Sequence, residues 1–86
     1  MPPEKPSLRR IERIVKDTLA RSLEPDTIDP IINEAEEDNP AAQYIVASAL
    51  ELAGEKPEAI RWYRRAADHG YRPALERLRR LSDPAA

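Results

Sequence analysis

The stretch "EAIRWYRRAADHG", residues 58–70, sets Trp62 and Tyr63 among Arg61, Arg64 and Arg65 and closes on two alanines and a glycine. In linear order it has the composition of a surface that stacks on nucleic-acid bases. Wound at 100° per residue, it divides. Ala59, Ile60, Trp62, Tyr63, Ala66 and Ala67 take one arc, and Glu58, Arg61, Arg64, Arg65, Asp68 and His69 take the other. A stacking reader needs rings and cations on one exposed surface, and only the margin where Trp62 neighbours Arg65 and His69 offers that. The stretch therefore reads as a packing helix, with alanines where a second helix backbone comes close.

Punctuation on either side extends this helix into a series. Pro57 opens it, Gly70 closes it, and Pro73 opens a fifth helix that runs to about Leu81. Upstream, Asn39 caps and Pro40 opens a third helix that ends near Gly54. Asp29 and Pro30 repeat the same device for a short second helix to about Asp38, which buries Ile31, Ile32 and Ala35. Ser7 is placed to cap a first helix over about residues 8–23, with Ile11, Val15 and Leu19 on its apolar half. No segment alternates with period two, so no strand is expected, and the short connections make neighbouring helices antiparallel hairpins.

An offset of 32 residues brings "AEEDNPAAQYIV" from Ala35 onto "ADHGYRPALERL" from Ala67. Ala42 then matches Ala74, Val46 matches Leu78, and Asp38 falls opposite Gly70. With Ala59, Ile60, Trp62, Tyr63, Ala66, Ala67, Gly70 and Ala74 at its marked positions, the chain resembles the Sel-one-like repeat, a relative of the tetratricopeptide repeat. "NPAAQYIVASALELAG" resembles that family's first helix, and the likeness covers residues 35–81. The loop "AGEKPEA" is shorter than the family's, Asp38 stands where a helix-closing glycine is usual, and residues 1–24 match nothing in it. The expected fold is all-α, five antiparallel helices forming a short tetratricopeptide/Sel-one-like helical repeat, a fragment of an α-solenoid. Residues 1–6 form a disordered lead, 7–24 a capping helix, 27–81 the repeat region and 82–86 a frayed tail.

Composition bounds what such a chain can do. Its 86 residues make one small domain in which a single core is marginal. The chain has no cysteine, and no stretch approaches the roughly 20 apolar residues that span a bilayer. The start "MPPEKPSLRR" has no apolar h-region, so a cytoplasmic location without membrane contact is expected. The formal net charge of −2 hides an uneven layout. Residues 1–23 carry six basic and three acidic groups, residues 24–55 nine acidic and no basic ones, and residues 56–86 eight basic and four acidic.

Function is read from the faces left over. On the third helix Ile45, Ala49, Ala42, Ala53, Val46, Leu50 and Leu52 form the expected buried arc, leaving a stripe centred on Tyr44. The family resemblance implies that the first helix of a repeat lines a groove for a peptide, which makes Tyr44, Gln43, Ser48 and Glu51 candidate partner contacts. The alternative use of that stripe is cover by the first helix. The expected function is a small non-catalytic adaptor that binds another protein, the acidic middle suiting a basic partner segment. Homo-oligomerisation as a structural module is the first alternative, since the alternating charge blocks can meet head to tail. Nucleic-acid binding through Arg72, Arg77, Arg79 and Arg80 is the second, and the acidic overall balance counts against it. His69 is the sole histidine, "EAEED" lacks the loop of a calcium site, and no serine has a histidine at motif spacing, so no cofactor, metal or enzyme activity is expected.

Overall fold

Proline sets where the helices of this chain begin. The computed structural model describes residues 6–82, with side chains described from Arg10 onward, and is built of α1 (Pro6–Leu19), α2 (Pro25–Glu36), α3 (Pro40–Leu52), α4 (Lys56–Asp68) and α5 (Arg72–Ser82). Proline occupies the first or second position of α2, α3 and α4, where its missing N–H is no loss. Asn39 caps α3 by accepting the N–H of Ala42 at 3.2 Å. The described residues are helical with no strand. The expected lead of residues 1–6 lies outside them except for Pro6, which is helical, and the expected tail lies outside them beyond Ser82.

Three helices end in one way. The residue at positive φ is Asp38 after α2 (67°), Gly54 after α3 (84°) and Gly70 after α4 (81°), each 16 residues from the next. Behind each, two backbone bonds satisfy carbonyls of the last turn. Asn39 donates to Glu34 at 2.9 Å and Asp38 to Ala35; Glu55 donates to Leu50 at 2.8 Å and Gly54 to Glu51; Tyr71 donates to Ala66 at 3.2 Å and Gly70 to Ala67. Aspartate tolerates the left-handed conformation better than most residues. Asp38 therefore closes the same kind of turn that glycine closes at positions 54 and 70.

Two expected boundaries are corrected. Helix α2 starts at Pro25 rather than Pro30, so Asp29 sits inside it and Pro30 interrupts its ladder without ending it. The start at Pro25 brings Ile28 into line with Ile32 and Ala35, and these three are the buried residues of α2, with Ile31 only partly buried. Helix α1 starts one residue before Ser7 and stops at Leu19, not Leu23. The chain needs residues 20–24 to turn, and Glu24 before Pro25 is held extended (ψ 144°).

Successive helices pack on one another, α2 on α3, α3 on α4 and α4 on α5, while α1 lies across α3 and α2. Ile11 and Val15 of α1 face Ile32, Val46 and Trp62 across a cleft of about 20 Å3. The core is fine-grained: Ala35, Ala47, Ala59, Ala66 and Ala74 are all 0% exposed, around Tyr63, Leu50 and Val15. On α4 Ala59, Trp62, Tyr63 and Ala66 are buried and Arg61, Arg64, Asp68 and His69 exposed, which is the division expected from the helical wheel. Arg65 lies over the Trp62 ring, its guanidinium 4.5 Å from the centroid.

Burying such alanines leaves no room for more. Ala66→Leu is expected to cost about 1–3 kcal/mol by overpacking and to lower Tm by at least roughly 4 °C for a domain of this size. A thermal melt superimposable on that of the parent contradicts this packing.

Candidate functional site

Tyr44, Ser48 and Glu51 stand at i, i+4 and i+7 on α3 and so share one side of it. Onto that side α4 brings Tyr63, the turn before α5 brings Tyr71, and α5 brings Arg77. Tyr44 lies between the two other tyrosine rings, 5.5 Å from each, tilted by 57° to Tyr63 and 53° to Tyr71. The Tyr63 hydroxyl donates to Glu51 Oε1 at 2.8 Å. Arg77 grips the same carboxylate with two nitrogens, Nε to Oε1 at 2.9 Å and Nη2 to Oε2. Ser48 Oγ donates to the Tyr44 carbonyl at 2.9 Å and lies 3.2 Å from the Tyr63 oxygen. With the Tyr63 proton committed to Glu51, the single Ser48 proton has only those two acceptors to choose between.

The electrostatics follow from these bonds. The Arg77 guanidinium, and then the Tyr63 hydroxyl, hold Glu51 below the ordinary carboxylate value against the opposing effect of its burial. Burial pushes the Tyr63 hydroxyl up to about 12; Ser48 pulls it down and Glu51 adds to the rise. Glu51 raises Arg77 further above its ordinary value. A phenol kept neutral and a carboxylate kept charged suit a static network that ties α3 to α4 and α5.

A second polar cluster closes the α2–α3 turn. Gln43 is 0% exposed, and its Nε2 donates to the Ala35 carbonyl at 3.0 Å and to Asp38 Oδ1 at 3.3 Å, while its Oε1 has no partner. Arg65 also reaches Asp38 Oδ1, at 3.0 Å, and His69 Nε2 lies 3.9 Å from it. Arg65 is the main reason Asp38 is held below its ordinary value.

The expected groove residues are thus divided. Gln43 is enclosed and touches no solvent, and Glu51 is occupied by Tyr63 and Arg77. Tyr44 and Ser48 are partly buried, Tyr44 against Tyr63 of α4 and Tyr71 of the turn before α5, and Ser48 against Tyr63. The buried arc of α3 is rotated by about 60°, at 100° per residue, toward Gln43 and Ala47, both 0% exposed. Leu52, expected inside, is 80% exposed; Ala53 is exposed and Ile45 only partly buried. The outward stripe of α3 is Ala41, Ile45 and Leu52, which sequence reasoning missed because aliphatic residues were assigned to the core.

Of the four arginines considered for nucleic acid, Arg77 is turned toward α3 and tied to Glu51, whereas Arg72, Arg79 and Arg80 are exposed with Glu76 among them. Among the described residues no group of three His, Asp or Glu could hold a metal ion, and no helix is long and apolar enough to cross a membrane.

The network makes a prediction with a definite sign. Because Glu51 titrates lower in the folded chain than its ordinary 4.5, its stabilisation is complete above that pH and drains away as the pH falls through the lowered folded value. Glu51→Gln is expected to cost about 1.5–3 kcal/mol at neutral pH, as for a hydrogen bond to a charged group, and to flatten the fall of Tm below pH 4.5. Parallel acid limbs for parent and variant contradict the assignment.

Comparison with the models of known protein families, with curated proteins and with solved structures found no match. The likeness of residues 35–81 to Sel-one-like repeats accordingly rests on the residues of the chain itself.

Proposed function

We propose that this chain is a small non-catalytic protein-interaction module of the Sel-one-like and tetratricopeptide type, which receives a segment of another protein along the outward stripe of α3. The observation that carries this reading is the exposure of Leu52, 80%, at the end of a stripe that also holds Ala41 and Ile45. Leu52 packs in no part of the described core, and with Ala41 and the half-buried Ile45 it leaves an apolar row on the outside of an otherwise buried helix. Tyr44 and Ser48 border the row and add a polar edge. A non-catalytic role is supported by the Tyr63, Ser48 and Glu51 groups, whose protons and lone pairs are already engaged with one another.

The partner chemistry is narrower than the acidic middle of the sequence implies. Glu51, the carboxylate nearest the stripe, is neutralised by Arg77, so a basic segment finds no free anion there. The reading is for a segment that presents aliphatic side chains, with selectivity from the Tyr44 ring.

The double variant Ile45→Asp, Leu52→Asp tests it. Both positions are solvent-accessible, so folding is expected to survive by circular dichroism while capture of partner proteins from the source lysate is lost. The same proteins retained by parent and variant would remove the stripe from the account.

A further inference from the structure

Four ion pairs join the basic blocks of the chain to its acidic middle: Arg10 with Glu55, Lys16 with Asp29, Arg65 with Asp38, and Arg77 with Glu51. Outside these pairs the exposed charges of α2, among them Asp26, Glu34 and Glu36, are all acidic, while α5 exposes Arg72, Arg79 and Arg80 with one acid, Glu76. Glu34 and Glu37 at the outer end of α2, and Arg79 and Arg80 on α5, are exposed and form no ion pair with another described residue. Helices α2 and α5 stand at the two ends of the series in which each helix packs on the next.

The 32-residue offset shows what each end lacks. On α3, Gln43, Ala47 and Leu50 are fully buried, with α2 on one side and α4 on the other. Their counterparts on α5 are Leu75, Arg79 and Ser82, and with only α4 beside it Leu75 is 45% exposed. On α4, Ala59, Tyr63 and Ala66 are buried, and Tyr63 bonds to α3. Their counterparts on α2 are Thr27, Ile31 and Glu34, of which Thr27 and Glu34 are exposed and Ile31 partly buried. The open side of α5 thus corresponds to the side of α3 that receives α4, and the open side of α2 to the side of α4 that α3 receives. Where α3 and α4 bury the alanines Ala47 and Ala66, the two ends carry Arg79 and Glu34, which are opposite in charge.

We infer that the chain self-associates head to tail, with α2 of one copy docking on α5 of the next as α4 docks on α3 within a copy. Arg79 and Arg80 of one copy face Glu34 and Glu37 of the next across the contact. The contact is heterologous, so it propagates into open chains unless the rotation per copy closes a ring. Salt screens its charges.

Sedimentation velocity of the full chain tests it with charge reversal. The parent, 9.8 kDa as a monomer, is expected to rise in weight-average mass with concentration at low salt and to weaken at least about tenfold at roughly 0.5 M salt. Arg79→Glu with Arg80→Glu, and separately Glu34→Lys with Glu37→Lys, each remain monomeric, while an equimolar mixture of the two variants associates again, since each supplies the end the other lacks. Circular dichroism confirms that each variant is folded. Ile45→Asp, Leu52→Asp leaves both ends intact and associates as the parent does, which separates this inference from the partner-binding stripe. A parent that stays at monomer mass throughout overturns the inference, as does association that the α2 variant leaves untouched or a mixture that fails to reassemble.

Discussion

The left-handed turn that recurs every 16 residues is the constraint from which the rest of this structure follows. Asp38, Gly54 and Gly70 each reverse the chain after a helix of 12 or 13 residues, with a proline at the head of the next one to prevent the helix from running on. Helices of similar length joined by such short turns pack as antiparallel neighbours. Contacts therefore fall between successive elements, and α3, with α2, α4 and α1 around it, becomes the most enclosed helix of the series. The alanines at 42, 47, 49, 59 and 66 belong to the same constraint, because helices held this close can meet only through small side chains.

Charge acts on top of that frame rather than making it. The acidic middle of the sequence is placed between two basic blocks so that each contributes ion pairs to it, yet most of these pairs are exposed and each is worth little. The exception is Glu51 with Arg77 and Tyr63, where a bidentate pair and a phenol share one partly buried carboxylate. That network converts what a reading of the sequence offers as a peptide groove into a joint between three helices. The outward side of α3 then falls one step further round, to Ile45 and Leu52.

Most of the fold was legible because it is punctuated by residues with hard local rules. Asn39–Pro40, Gly54, Pro57 and Gly70 mark the observed boundaries to within a residue or two, and the two faces of α4 follow from its period alone. The start of α2 was not legible, since "EPDTIDP" holds two prolines either of which can begin a helix; the choice of Pro25 is made by Ile28, which only that start lines up with Ile32 and Ala35. The face of α3 was misjudged for a related reason. Its sequence is apolar nearly all round, so hydrophobicity does not select an arc, and the arc that is buried is the one from which Gln43 bonds to the Ala35 carbonyl of α2 and beside which Glu51 bonds to Tyr63 of α4. Glutamine in the core and leucine in solvent run against composition.

Which side of α3 faces water is the claim on which both the joint and the proposed docking stripe depend. The direct measurement is methyl NMR in the presence of a soluble paramagnetic probe. The methyl signals of Leu52 are expected to broaden strongly while those of Leu50, Val46 and Ala47 are spared. Broadening of Ala47 together with protection of Leu52 would place the opposite arc outside and contradict the account.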